Sequence, residues 1–226
     1  MSELFSIQLQ NRQQQGGDGV WLNLPTTTEQ VQAALRQIGI SSDNPQGLFI
    51  SGYFAEEEKR FAIPYNMVLA SNVDKLNFLA SRLETLSTGE RAELNAALQV
   101  PQSELSSIGR ITDFPENVDY YVHLPDVRGP AQLGDYYLNR SGMVDMPEEW
   151  KGGIDTAQFG RYVAQQEQGV FTEYGYLVKS GDEWQKVHEG QSVPEEYRVL
   201  SFPAPEILRD AANIPTCLLY TSPSPR

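Results

Sequence analysis

Residues 152–178, GGIDTAQFGRYVAQQEQGVFTEYGYLV, decide the fold class, because helical and strand signals meet within one short segment. Asp155 stands where an N-cap belongs, and IDTAQFGRYVAQQ after it reads as a helix. From Gly169 the reading changes to a strand, GVFTEYGYLVKS. That strand is expected to pair with EWQKV (183–187) as a hairpin across Gly181 and Asp182, with EYRVLSF (196–202) as a last strand.

Upstream, NVDYYVHLP (117–125) reads as a strand and LGDYYLNRSG (133–142) as a helix with aromatic faces. Neighbouring helical residues point about 100° apart, so only one of Tyr136 and Tyr137 can lie fully on the core face. Residues 113–202 therefore form a mixed module.

Residues 71–112 read as helical. Ser71 with Asp74 suggests a capping box, followed by an apolar stripe of Val73, Leu76, Leu79, Leu83 and Leu86. Ser87 with Glu90 repeats the signal, opening a helix through Leu94 and Leu98 that stops at Pro101. A short turn is expected around Glu104–Ile108. Residues 1–70 return to mixed structure. FSIQLQN and GVWLNLP read as strands joined through the Gly16–Gly19 turn, Thr27 or Thr28 caps the helix TTEQVQAALRQIG, and GLFISGYF is a third strand. The expected fold class is α+β, in three blocks at 1–70, 71–112 and 113–202. Residues 203–226 form a tail, whose end, CLLYTSPSPR, resembles translated sequencing-adapter read-through, so Thr216–Arg226 are set aside.

Charge limits the function. Thirty acids against 17 Lys and Arg give a net charge of −13, which argues against direct binding to nucleic acid or anionic membranes. The three modules carry about −3, −1 and −9, so the acidity belongs chiefly to the third. A hydrophobic content of 40% suffices for packed cores. No run of about 18 apolar residues and no leader sequence are legible, which makes the cytoplasm the expected compartment. With Cys217 the only cysteine and His123 and His188 the only histidines, neither a metal site nor a His-based triad is expected, nor any cofactor.

Several segments, taken in order, resemble the ArdA family of antirestriction proteins. SNVDKLNFLASRLETLS (71–87) is similar to the family's central helical segment. PENVDYYVHLPDVRGPAQLGDYYLNRSG (115–142) resembles the segment that carries its antirestriction motif, with Leu133, Gly134, Asp135, Tyr136 and Tyr137 at the centre. The opening stretch is similar to the family's later pattern through Ile154, Asp155, Phe159, Gly160, Arg161, Gly169, Phe171, Thr172, Gly175 and Tyr176. VWLNLPTTTEQVQAALRQIGI (20–40) and FISGYF (49–54) fit the N-terminal module more loosely. The extension KSGDEWQKVHEGQSVPEEYRVLSF (179–202) is longer than the family's usual ending.

The resemblance implies an elongated protein of three small domains, non-catalytic and a homodimer, whose acids imitate the phosphates of bent B-DNA. Its partner would be the DNA-binding core of a type I restriction–modification enzyme. The candidate contacts are Glu56, Glu57, Glu58, Asp113, Glu116, Asp119, Asp126, Asp135, Asp145, Glu148 and Glu149, with Asp155 as a further candidate that also suits an N-cap. Leu133 and Gly134 are expected to be structural, and Phe159, Phe171 and Tyr176 to lie in the core. One alternative is an acidic module that binds another basic DNA-binding protein. A second is an enzyme using Glu148–Glu149 or Glu195–Glu196, although sequence neighbours seldom converge in a cleft with separated pKa values.

Overall fold

In the computed structural model, residues 3–14, 17–41, 46–56, 60–101 and 103–200 are described. The Gly16 turn position, Glu57, Glu58 and the tail from residue 201 lie outside the described residues.

Local signals set most of the N-terminal half. Strands β1 (Phe5–Asn11), β2 (Val20–Leu24) and β3 (Leu48–Phe54) form an antiparallel sheet in the order β2–β1–β3. Leu4, Ile7, Leu9, Leu22, Leu24 and Ile50 are buried beneath it. Helix α1 (Thr28–Gln37) starts at a capping box between Thr27 and Gln30, and its Val31, Ala34 and Leu35 join this core. The chain leaves α1 through Gly39, whose φ of 68° is the left-handed conformation that terminates helices.

A five-residue helix, α2 (Tyr65–Leu69), precedes α3 (Val73–Glu84). The cap of α3 is Asn72, which accepts from Lys75 N–H at 2.9 Å, not the expected Ser71–Asp74 box. Asp74 is engaged elsewhere, accepting from Val199 and Leu200 N–H at 2.8 and 2.7 Å. The box predicted at Ser87 and Glu90 does open α4 (Thr88–Gln99), and Ser107 caps α5 (Ile108–Thr112).

The third region differs more. Residues 118–120 are a 3-10 turn, so β4 is only Tyr121–Leu124. After α6 (Pro130–Asp135), Tyr136–Arg140 form one π turn, closed by Ser141 N–H on Tyr136 O at 2.8 Å. Helix α7 (Glu148–Lys151) and α8 (Thr156–Glu167) follow, and Asp155 caps α8 as expected. The hairpin forms inside GVFTEYGYLVKS, where β5 (Val170–Thr172) pairs with β6 (Gly175–Lys179), and β4 pairs with the other edge of β6. EWQKV and the described part of EYRVLSF, residues 196–200, form no strands, and Ser201 and Phe202 lie outside the described residues.

Residues 180–200 instead run as a strap across the helices. Trp184 meets Tyr120 edge-on, Asn117 exchanges hydrogen bonds with the backbone of Gln185, and Tyr197 packs on Phe78. The buried side chains do not divide at residues 70 and 112. One apolar cluster runs from Leu4 through α3, α4 and α5 to Leu177 and Val199. Buried amides stitch the same boundary: Asn77 Oδ1 accepts from Thr26 N–H at 2.7 Å and Asn95 Oδ1 from Ala62 N–H at 2.8 Å. The N-terminal sheet and the middle helices thus share one core. A smaller cluster, centred on Val127, Leu133 and Tyr176, lies under α6 and α8.

Candidate partner-binding surface

The motif Leu133–Tyr137 sits where two helices touch backbone to backbone. A Cβ added to Gly134 would lie 1.9 Å from Thr156 O, and one on Gly160 would lie 1.8 Å from Pro130 O. Only two facing glycines allow α6 and α8 to approach this closely. Leu133 fills the core below with no exposed surface.

Tyr136 and Tyr137 are each half-buried and meet edge-on, 5.5 Å apart. Neither faces the core fully, because the π turn shifts both off the ordinary helical phase. The Tyr137 hydroxyl donates to Glu167 Oε1 and the Tyr176 hydroxyl to Glu167 Oε2 at 3.0 Å. Burial is the main cause that pushes both phenols up, and the Glu167 carboxylate adds to it. One glutamate thus ties the motif to β6. Tyr176 is fully buried and Phe171 packs on it, whereas Phe159 is half-buried and belongs to neither apolar cluster.

Asp135 does not face solvent unpaired. Its Oδ1 accepts from Asn139 at 2.9 Å, and its Oδ2 from Arg140 at 2.7 and 3.2 Å. The hydrogen bond from Asn139, then that from Arg140, hold its carboxyl below the usual range.

The other candidates fall into three groups. Asp113 requires correction. It is buried, with Oδ1 accepting from His188 N–H at 2.6 Å and Oδ2 from Glu189 N–H at 3.2 Å. Both oxygens serve the strap, so Asp113 is unavailable to a partner. In the second group the charge is shared locally: Glu116 pairs with Arg82, and Glu148 with Lys151 at 2.6 Å. Asp155 belongs here too, since it accepts from Ala157 and Gln158 N–H at 2.9 and 3.0 Å. In the third group, Asp119, Asp126, Asp145 and Glu149 are exposed, and among the described residues none has a Lys or Arg within ion-pair distance. Glu56 is exposed but has interactions of its own.

Sequence reading missed two acids that the fold places inside. Glu93 on α4 has a buried Oε1 without a hydrogen-bond partner; burial first, then Glu90 and Asp119, push its carboxyl up to about 8. Glu104 gathers Arg110, Lys179 and the Tyr120 hydroxyl. Its partners come from α5, β6 and the turn before β4, so no local spacing could reveal it. Both histidines have structural contacts: His123 Nε2 lies 2.9 Å from Tyr174 O, and the His188 ring meets Phe78 edge-on at 4.9 Å. The four glutamates of the enzyme alternative, Glu148, Glu149, Glu195 and Glu196, are all exposed. Among the described residues, no three His, Cys, Asp or Glu side chains could hold a metal ion, and no helix is long and apolar enough to cross a membrane.

Compared with known families, residues 17–178 match the model described as antirestriction protein (ArdA). Among curated proteins no sequence matches the chain.

Proposed function

Because the chain belongs to the ArdA family of antirestriction proteins, we propose that it inhibits type I restriction–modification enzymes by presenting carboxylates where their DNA-binding groove expects phosphates. Membership of this family itself implies interaction with restriction enzymes. The observation that supports the finer reading is four exposed acids, Asp119, Asp126, Asp145 and Glu149, that flank the motif-bearing α6 in sequence and have no ion pair among the described residues.

The physics is that of phosphate neutralisation. A groove that binds DNA gains affinity by pairing Lys and Arg with phosphates and releasing counterions. Carboxylates can form charge-assisted hydrogen bonds with the same cations and offer no bond to cleave. Their long-range field also steers encounter with a basic groove. A single chain carries a net charge of −13. At the charge density of B-DNA that equals about 22 Å of duplex, and a homodimer would double it to about 44 Å. Dimerisation is part of the proposal because one chain alone supplies too short a charge track.

Expression of the protein should relieve restriction of unmodified phage in cells that carry a type I system. With purified enzyme, it should compete with DNA, and its affinity should fall steeply as salt rises. Substituting Asp119, Asp126, Asp145 and Glu149 together by Asn or Gln should flatten that salt dependence. Undiminished restriction on full expression would refute the proposal, and binding to an unrelated basic DNA-binding protein alone would favour the broader acidic-module reading.

A further inference from the structure

A cleft of about 430 Å³ lies between the strap, at residues 188–193, and helices α2, α3 and α5. The strap follows residue 178, where the family match ends, so this wall of the cleft lies outside the matched region. The volume falls within the range of ordinary small-molecule sites, roughly 300–1,000 Å³. Phe78, Met67, Ile108 and Val193 give it an apolar floor.

Its lining carries one cation, Lys75, and one carboxylate, Glu189. Lys75, exposed on the first turn of α3, lines the cleft and has no ion pair among the described residues. Neither Glu189 in the lining nor Asp74, the sequence neighbour of Lys75, forms an ion pair with it, and each has partners of its own. Asp74 receives the backbone N–H groups of Val199 and Leu200, and Glu189 is held by Arg110 at 2.8 Å and Lys186 at 3.6 Å. Ser71, also in the lining, has a buried Oγ without a hydrogen-bond partner. An exposed cation without an ion pair, beside an apolar floor and a carboxylate already paired with Arg110, suits a particular ligand chemistry.

We propose that this cleft binds a small organic anion, a carboxylate or sulfonate on a one- or two-ring apolar body. The acid group pairs with Lys75 and the rings lie against Phe78. This site is separate from the acidic surface, and its test does not depend on the antirestriction reading.

The probe is 1-naphthoate, titrated calorimetrically into the full-length protein at low salt, with 1-naphthamide as its neutral counterpart. Saturable one-to-one binding is expected, about 5-fold or more tighter for the acid than for the amide, since a charge-assisted hydrogen bond is lost in the latter. Lys75→Gln should erase that preference. Ser192→Trp, a plug at an exposed position of the rim, should abolish binding while leaving the melting temperature unchanged. Absence of saturable binding to the unaltered protein at about 5 mM probe, weaker than the weakest useful site, overturns the proposal. So does binding that neither variant changes, because the probe then sits elsewhere.

Discussion

Replacing Gly160 by alanine tests whether the motif is held in place by direct contact between helix backbones. The new Cβ would stand 1.8 Å from Pro130 O, whereas real Cβ contacts essentially never fall below 3.0 Å. Helices α6 and α8 must therefore part by about 1.2 Å, since the obstacle is backbone and no side chain can swing away. A gap of 0.5–1 Å already forfeits roughly a quarter to a half of each dispersion contact it interrupts. Leu133 and the ring of Tyr137 would lose support on one side, for an overpacking cost near the upper end of about 1–3 kcal/mol. The intrinsic gain of Ala over Gly in a helix offsets about 0.5–1 kcal/mol, leaving a net loss of about 2 kcal/mol. For a protein of this length that corresponds to a melting temperature roughly 4–8 °C lower. Thermal unfolding followed by circular dichroism measures it, with Gly152→Ala as the control. Gly152 has no atom within 4 Å of its virtual Cβ and a helical φ of −64°, so its variant should melt like the parent. If Gly160→Ala melts within about 1 °C of that control, the helices are not in backbone contact and the account of the motif fails.

Other substitutions probe separate parts of the fold. Gly89→Ala, at an open position in the first turn of α4, should stabilise by up to about 0.5–1 kcal/mol in urea unfolding. Asp113→Ala leaves the N–H groups of His188 and Glu189 without their acceptor, and should cost about 1–3 kcal/mol with faster hydrogen exchange along the strap. Glu93 titrates near 8 when folded but near its ordinary value of 4.5 when unfolded. Its contribution is therefore complete below about pH 4.5 and is lost as pH rises through 8; Glu93→Gln should flatten the stability profile across that window. Arg140→Gln releases Asp135 from its internal partner and should raise affinity for the restriction enzyme about 2–5-fold at low salt. The same change at Arg36, on α1 far along the chain, controls for net charge alone.

What the sequence made legible was local chemistry. Thr27 with Gln30, Ser87 with Glu90, and Asp155 ahead of Thr156 are caps whose donor and acceptor lie within three residues, and all are present. Long-range partners were not legible. Asp113 looks like a surface carboxylate until the strap returns 75 residues later to place two N–H groups on it. EYRVLSF has strand composition, yet among its described residues 196–200 the backbone of Tyr197, Val199 and Leu200 is engaged by the Asn77 and Asp74 side chains of α3, and no ladder forms there. The hairpin turns earlier than expected, at Glu173 and Tyr174, where Gly175 at φ 131° starts the return strand opposite Thr172, whereas Gly181 and Asp182 were expected to make the turn. The three-module partition followed changes of period, but the core follows contacts. Asn77 and Asn95 carry the N-terminal sheet onto the middle helices despite the change of pattern near residue 70.

The same distinction limits what net charge can predict. A carboxylate that pairs with Arg or Lys on its own chain attracts a partner's cation less, since the partner must displace the internal base. The acids of the third module are of both kinds. Asp135, at the centre of the motif, is engaged by Arg140 and Asn139, while Asp126 and Asp145 on either side of it in sequence have no ion pair among the described residues. Exposed bases also stand in the module, since Arg128 and Arg161 have no ion pair among the described residues. A surface that imitates phosphates must keep such bases out of the contact or meet an acid of the partner with them. Reversing each to Glu therefore separates the two. If the basic groove covers that position, Arg→Glu should tighten inhibition by more than the 2–5-fold expected for Arg140→Gln, because it removes a positive charge from the contact and adds a negative one. If the position faces away, the gain should be smaller and should vanish once the Debye length falls below about 10 Å. A loss of inhibition in either variant would mean that the base itself contacts the enzyme, and acidity alone would then not account for recognition.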